Sequence, residues 1–97
     1  MSVVETQIFK LVDGADEDAF LAADRRVQGE FIWRQPGFVR RTTARGAEGD
    51  WLTLVLWQRL EQAEAAQEAF KTDAATADFM VLVDVGSVRI SRYTTLD

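Results

Sequence analysis

The segment Trp51-Leu52-Thr53-Leu54-Val55-Leu56-Trp57 limits the fold more than any other stretch of this 97-residue sequence. It has no charge, is rich in aliphatic, β-branched and aromatic side chains, and is shorter than an ordinary helix, so it predicts a strand. Alternate residues of a strand face opposite ways. One face here reads Leu52, Leu54 and Leu56; the other reads Trp51, Thr53, Val55 and Trp57. Strands of a small antiparallel sheet usually alternate apolar with polar, because one face is wet. Here both faces are apolar, so both need cover.

The flanking sequence supplies cover for one face. Residues 3–12 read as a first strand, with Val4, Thr6 and Ile8 on one side and Glu5, Gln7, Phe9 and Leu11 on the other. Asp13-Gly14 signals a turn, and Asp16-Glu17-Asp18 puts acids where a helix begins, matching the positive end of its dipole. Phe20, Ala23, Val27 and Phe31 then recur at spacings of three and four, which predicts an amphipathic helix to about Arg34. Pro36 ends it. A polar strand is expected over 38–45, then a turn at 46–50 and a hairpin into the central strand. Leu60–Phe70 carries a second apolar stripe on good helix formers. Phe79-Met80-Val81-Leu82-Val83 reads as strand or helix on composition, and the alanines leading into it favour a short helix. Val88 to Thr95 alternates as a last strand.

The order strand, helix, strand, strand, helix, strand is that of a split βαβ unit, an α+β ferredoxin-like βαββαβ fold. It predicts one domain over 1–97: a four-stranded antiparallel sheet, helices on one face, and the most apolar strand in the middle. Two helices cover one face only. The other then exposes a large apolar patch, which predicts a homodimer. The dimer-face candidates are Phe9, Leu11, Trp51, Val55 and Trp57, with the leucine set as the alternative.

Composition excludes several chemistries. Cysteine is absent, and with it disulfides, thiolate metal sites and cysteine nucleophiles. Histidine is absent too, which removes the commonest metal ligand and the commonest general base near neutral pH. No metal site and no cofactor is expected, and no residue stands out as catalytic. A net charge of −5 opposes nonspecific nucleic-acid binding. No run suits a membrane span, and no signal peptide is visible at Met1-Ser2-Val3-Val4-Glu5, so a cytoplasmic location is expected.

Gln35-Pro36-Gly37-Phe38 after the first helix, the strand Trp51–Trp57 running into Gln58-Arg59-Leu60-Glu61-Gln62-Ala63-Glu64-Ala65, and Phe79–Asp84 before the last strand resemble the antibiotic-biosynthesis-monooxygenase-like (ABM) group of the dimeric α+β barrel superfamily. The resemblance implies a dimer whose two sheets face each other. It also implies a cleft between helices and sheet that takes a small, often aromatic, molecule; some members are cofactor-free oxygenases and others degrade haem. Haem degraders use a histidine, a first-strand asparagine and a second-helix tryptophan, none of which this chain has, so haem degradation is not expected. Ligand-cleft candidates are the aromatics Phe20, Phe31, Trp33 and Phe79, the single tyrosine Tyr93, and Arg34 or Arg40 to hold a phenolate. A plain core is the more economical account of the aromatics, as solvated edge and helix-face positions are of the arginines.

Overall fold

The computed structural model describes Met1–Asp97. The chain runs β1 (Val3–Lys10), α1 (Glu17–Glu30), β2 (Phe38–Arg45), β3 (Asp50–Trp57), α2 (Leu60–Phe70), α3 (Ala77–Leu82) and β4 (Arg89–Thr94). The four strands form one antiparallel sheet in the order β2-β3-β1-β4. The expected α+β ferredoxin-like fold is therefore the observed one, with β3 and β1 in the middle.

Local chemistry explains most boundaries. Asp16 caps α1, its carboxylate accepting from the Ala19 amide at 3.2 Å, and Glu17 and Asp18 occupy the first turn. The helix stops at Glu30 rather than Arg34, and a tight turn follows over Ile32–Arg34. Phe31 and Ile32 are both buried, and a continuous helix stripe would turn one of two consecutive side chains away. The break lets both reach the core. Side chains take the carbonyls this frees: Trp33 Nε1 donates to Gly29 at 2.7 Å, Arg34 Nε to Glu30 at 2.8 Å, and Gln35 Nε2 to Phe31 at 3.1 Å.

Gly37 follows Pro36 with φ 82°, a conformation that favours glycine. A Cβ there would lie 1.8 Å from the Gln62 amide oxygen, which accepts from the Arg59 amide at 3.0 Å and so caps α2. The Gly37 carbonyl accepts from the Gln58 amide at 2.9 Å. One corner thus ties the start of β2 to the end of β3 and the start of α2. Before β4, Asp84 accepts from the Gly86 amide at 3.1 Å and holds the turn Val85–Ser87.

The register settles which face is covered. Trp51, Thr53, Val55 and Trp57 are buried beneath the helices, whereas Leu52, Leu54 and Leu56 are only half-buried. On β1, Val3, Glu5 and Phe9 share the covered side, while Val4, Thr6 and Ile8 sit opposite the leucines. The expected dimer-face set is therefore corrected. Phe9, Trp51, Val55 and Trp57 lie in the core, and half-buried Leu11 packs against it. Bulk decides the orientation. The indole of Trp57 needs depth, and α2 faces the core with small residues, Ala63 and Ala66. Edge-on and tilted aromatic contacts knit the interior, with centroids 4.7 Å apart for Phe20 and Trp51, 5.7 Å for Phe9 and Phe79, and 5.5 Å for Phe31 and Phe70.

Candidate functional site

A cavity of about 200 Å³ lies between the covered sheet face and the helices. Its floor is Glu5, Gln7 and Phe9 of β1 with Thr53, Val55 and Trp57 of β3. Val27, Phe31 and Ile32 wall one side, and Ala66, Gln67 and Phe70 of α2 another. Phe79 and Met80 of α3, Ile90 of β4 and Arg41 of β2 also line it, with Lys71, Val83, Val85 and Val88 from the connecting segments. The lining is mostly apolar with a few converging polar groups, the usual make-up of a small-molecule site. Its volume falls below the roughly 300–1,000 Å³ of sites for drug-sized ligands, which suits a compact molecule.

The polar groups are held in fixed places. Reading across the sheet by register, one row on the covered face is Arg41, Val55, Glu5 and Arg92. At one end Arg41 Nη2 donates to Asp24 of α1 at 2.7 Å, and Thr43 donates to the same oxygen at 2.9 Å. The Arg41 side chain is only 5% exposed, and its guanidinium lies 6.0 Å from the centre of the Phe79 ring. At the other end Arg92 Nε donates to Glu5 Oε2 at 2.7 Å, and Arg92 Nη2 also bonds the Gln67 side chain on α2. Glu5 itself is 4% exposed. Both ion pairs are largely shielded from solvent, so removing one partner would strand the charge of the other.

Trp57 Nε1 differs from all of these. It is buried and has no hydrogen-bond partner in the protein. An unmet buried donor costs about 1–3 kcal/mol, and few persist in folded proteins. Trp57 is among the residues around the cavity, but Nε1 itself is closed off by its neighbours, so a bound acceptor reaches it only if the ring shifts.

Of the seven cleft candidates from sequence, Phe31 and Phe79 line the cavity. Phe20 packs behind it, between Phe9, Trp51 and Phe79. The other four lie elsewhere. Trp33 is 60% exposed and spends its N–H on the end of α1, as Arg34 spends its guanidinium. Arg34 also reaches Asp73 at 3.9 Å. Arg40 and Tyr93 align with Leu56 and Val4 on the open face of the sheet. A bulge between Phe38 and Arg40 shifts the parity of β2, and it is Arg41 that turns inward. Sequence reasoning missed Glu5, Arg41 and Arg92. The signal for Glu5 was present: an acid, with Gln7 after it, on the strand face that begins at Val3 and ends on Phe9 and Leu11.

The architecture has clear counterparts among solved structures. SnoaB, a cofactor-independent oxygenase from Streptomyces nogalater, superposes with a TM-score of 0.75 over 99% of this chain and 94% of its own, at 18% identity. A candidate antibiotic biosynthesis monooxygenase from Bordetella bronchiseptica gives a TM-score of 0.81 over 98% and 97% of the two chains, at 11% identity. The chain has the ABM-like fold. Rv0793 from Mycobacterium tuberculosis shares it as well, with a TM-score of 0.70 over 100% and 97% of the chains at 11% identity. No protein-family profile and no curated protein matches by sequence. The resemblance carried by the Pro36-Gly37-Phe38 corner and the Trp51–Trp57 strand thus holds for the fold of almost the whole chain. No helix of the chain is long and apolar enough to cross a membrane.

Proposed function

We propose that the protein is a homodimer that binds a small aromatic molecule in the cavity of each subunit. The observation that carries the ligand is an aromatic-lined cavity with the unpartnered indole N–H of Trp57 behind its wall. Phe31, Phe70 and Phe79 offer ring edges and faces to a planar guest, and a small shift of Trp57 on binding brings its donor to an oxygen on it. Titration calorimetry with a panel of naphthols and naphthoquinones tests the reading. Micromolar to millimolar binding of at least one supports it, and no heat from any of them refutes it.

The dimer follows from the open face. Leu52, Leu54 and Leu56 with Val4 and Ile8 form a mainly apolar surface, interrupted at Thr6 and ringed by Arg40, Thr42, Arg89, Ser91 and Tyr93. Four strands of this length present roughly 400 Å² in flat projection. Side-chain relief brings the accessible area towards the roughly 800 Å² per partner of a stable complex. An apolar centre inside a polar rim is also the anatomy of a protein interface. Sedimentation should give twice the 10.9 kDa chain mass.

A second reading is a cofactor-free monooxygenase on an electron-rich aromatic substrate, favoured by the fold shared with the cofactor-independent oxygenase SnoaB. Here the substrate, once deprotonated, would itself supply electrons to oxygen. Trp57 and the buried Arg41 would hold the resulting oxyanion. Oxygen uptake with dithranol as substrate, above the rate in buffer and lost in Trp57→Phe, is the expected result. Binding without uptake leaves a binding protein.

A further inference from the structure

We infer that Glu5 sets the specificity of the cavity: its carboxylate accepts a hydrogen bond from a hydroxyl or N–H on the bound ring and turns away the methylated counterpart. The inference rests on the cavity holding an aromatic molecule, and adds which substituent that molecule carries.

Glu5 stands on the floor of the cavity, on the middle strand β1, and is 4% exposed. A carboxylate has two oxygens and about four acceptor sites. Arg92 takes one of them, through Oε2 at 2.7 Å. Gln67 on α2 holds the other end of the Arg92 guanidinium, so the guanidinium is clamped between helix and sheet. The carboxylate is thereby fixed in direction, with acceptor capacity left over at the cavity wall. Replacing a buried ion pair by apolar side chains of similar volume is often neutral or stabilising. Stability alone therefore gives little reason to keep a carboxylate at Glu5 on the wall of an apolar chamber, with Arg92 partly exposed behind it, whereas recognition of a donor does.

Position sharpens the point. Arg41 and Glu5 are two strands apart in one row, roughly 10 Å between backbones, with Val55 between them. A flat ring resting on Val55 meets donors on the Arg41 side and an acceptor on the Glu5 side. The cavity is thus polarised along one axis, and a ring with oxygens at both ends fits only if the one at Glu5 carries a proton. An ether or a deprotonated oxygen there would set lone pairs against a carboxylate. A site built around a hydrogen bond rejects the analogue lacking the donor far more strongly than an apolar wall would.

The test compares 2-naphthol with 2-methoxynaphthalene by titration calorimetry on the full chain. Wild type should prefer the naphthol by about ten- to hundredfold, the worth of one hydrogen bond to a charged acceptor. In the doubly substituted chain Glu5→Met, Arg92→Met the preference should vanish or invert. Its thermal melt reports the fold separately, and Glu64→Gln, on the exposed side of α2, is the control. Glu5→Gln, which keeps an acceptor but loses the charge, should retain a reduced preference. If the double variant does not melt cooperatively, Glu5→Gln decides: an undiminished preference overturns the inference. Equal binding of both probes by wild type, or an unchanged preference in the double variant, also overturns it. Failure of wild type to bind either probe instead overturns the aromatic-ligand reading on which it rests.

Discussion

The two faces of this sheet are built from the same strands yet solve opposite problems. The covered face holds both tryptophans of the sheet, Trp51 and Trp57, with Phe9, but also Glu5, Thr53 and the inward Arg41. The open face has smaller, simpler side chains: leucines, a valine and an isoleucine at the centre, with arginines at the rim. Burying a charge or an unmet donor costs free energy, and an apolar side chain of similar size would avoid it. The covered face accepts that cost in three places, at Glu5, Arg41 and Trp57, all on the cavity wall. The open face accepts it nowhere at its centre. On the proposed reading, the polar groups that a core would be more stable without belong to the face that holds the ligand. The patch without them is the face proposed to meet a second copy.

Two substitutions would break this contrast with the largest effects. Phe20 touches Phe9, Trp51 and Phe79 and is fully buried, so Phe20→Ala should cost about 3–5 kcal/mol of folding stability in a denaturant titration. Leu54 lies mid-row on the open face, between Thr42 and Thr6. Leu54→Glu should leave the subunit folded but dissociate the dimer. An unpaired charge at the centre of the interface costs on the order of 3 kcal/mol, more than a hundredfold in Kd, read by sedimentation. If Leu54→Glu unfolds the chain and leaves no folded monomer, the two faces are not independent and the division of labour fails.

A smaller effect is expected at Trp57. Trp57→Phe loses buried area but also removes the unmet donor, and the two changes oppose each other. Folding stability should therefore move by only about 1 kcal/mol in the free protein. Affinity for a quinone or naphthol probe should fall about tenfold, because its oxygen loses the indole partner. A loss of several kcal/mol in stability with no change in affinity would mean that Trp57 is core alone.

The sequence carried the elements and their order because each depends on local pattern. Strand 38–45 and helix 60–70 appear with the expected limits, and the stripe Phe20, Ala23, Val27 and Phe31 is buried throughout. It could not carry the orientation of β3, since both its faces are apolar and parity alone does not choose between them. That choice came from the other side of the core, where alanines on α2 make room for an indole. Tyr93 and Arg40 were misplaced for the same reason: an edge strand and a bulge set their faces, and neither shows in composition. Trp33 and Arg34 were drawn off by a break in α1 whose carbonyls needed donors. The Glu5–Arg92 pair spans 87 residues of sequence, so only the closed sheet brings it together.

Arg40 and Arg41 give the finest version of the contrast. They are consecutive, yet one lies on each face. Arg41 is paired with Asp24 in a nearly dry setting, whereas Arg40 is exposed at the rim beside Leu56. Rim charges are screened by solvent and affect encounter more than holding. Arg40→Ala should therefore change folding stability by less than about 0.5 kcal/mol and weaken dimerisation by less than about fivefold, with the difference shrinking as salt rises. Arg41→Ala should leave the dimer intact and instead destabilise the subunit by about 1–3 kcal/mol, through the stranded Asp24. Paired denaturation and sedimentation runs on the two variants check this. A dimer defect in Arg41→Ala, or a folding defect in Arg40→Ala, would mean that the bulge does not divide the two faces at this point.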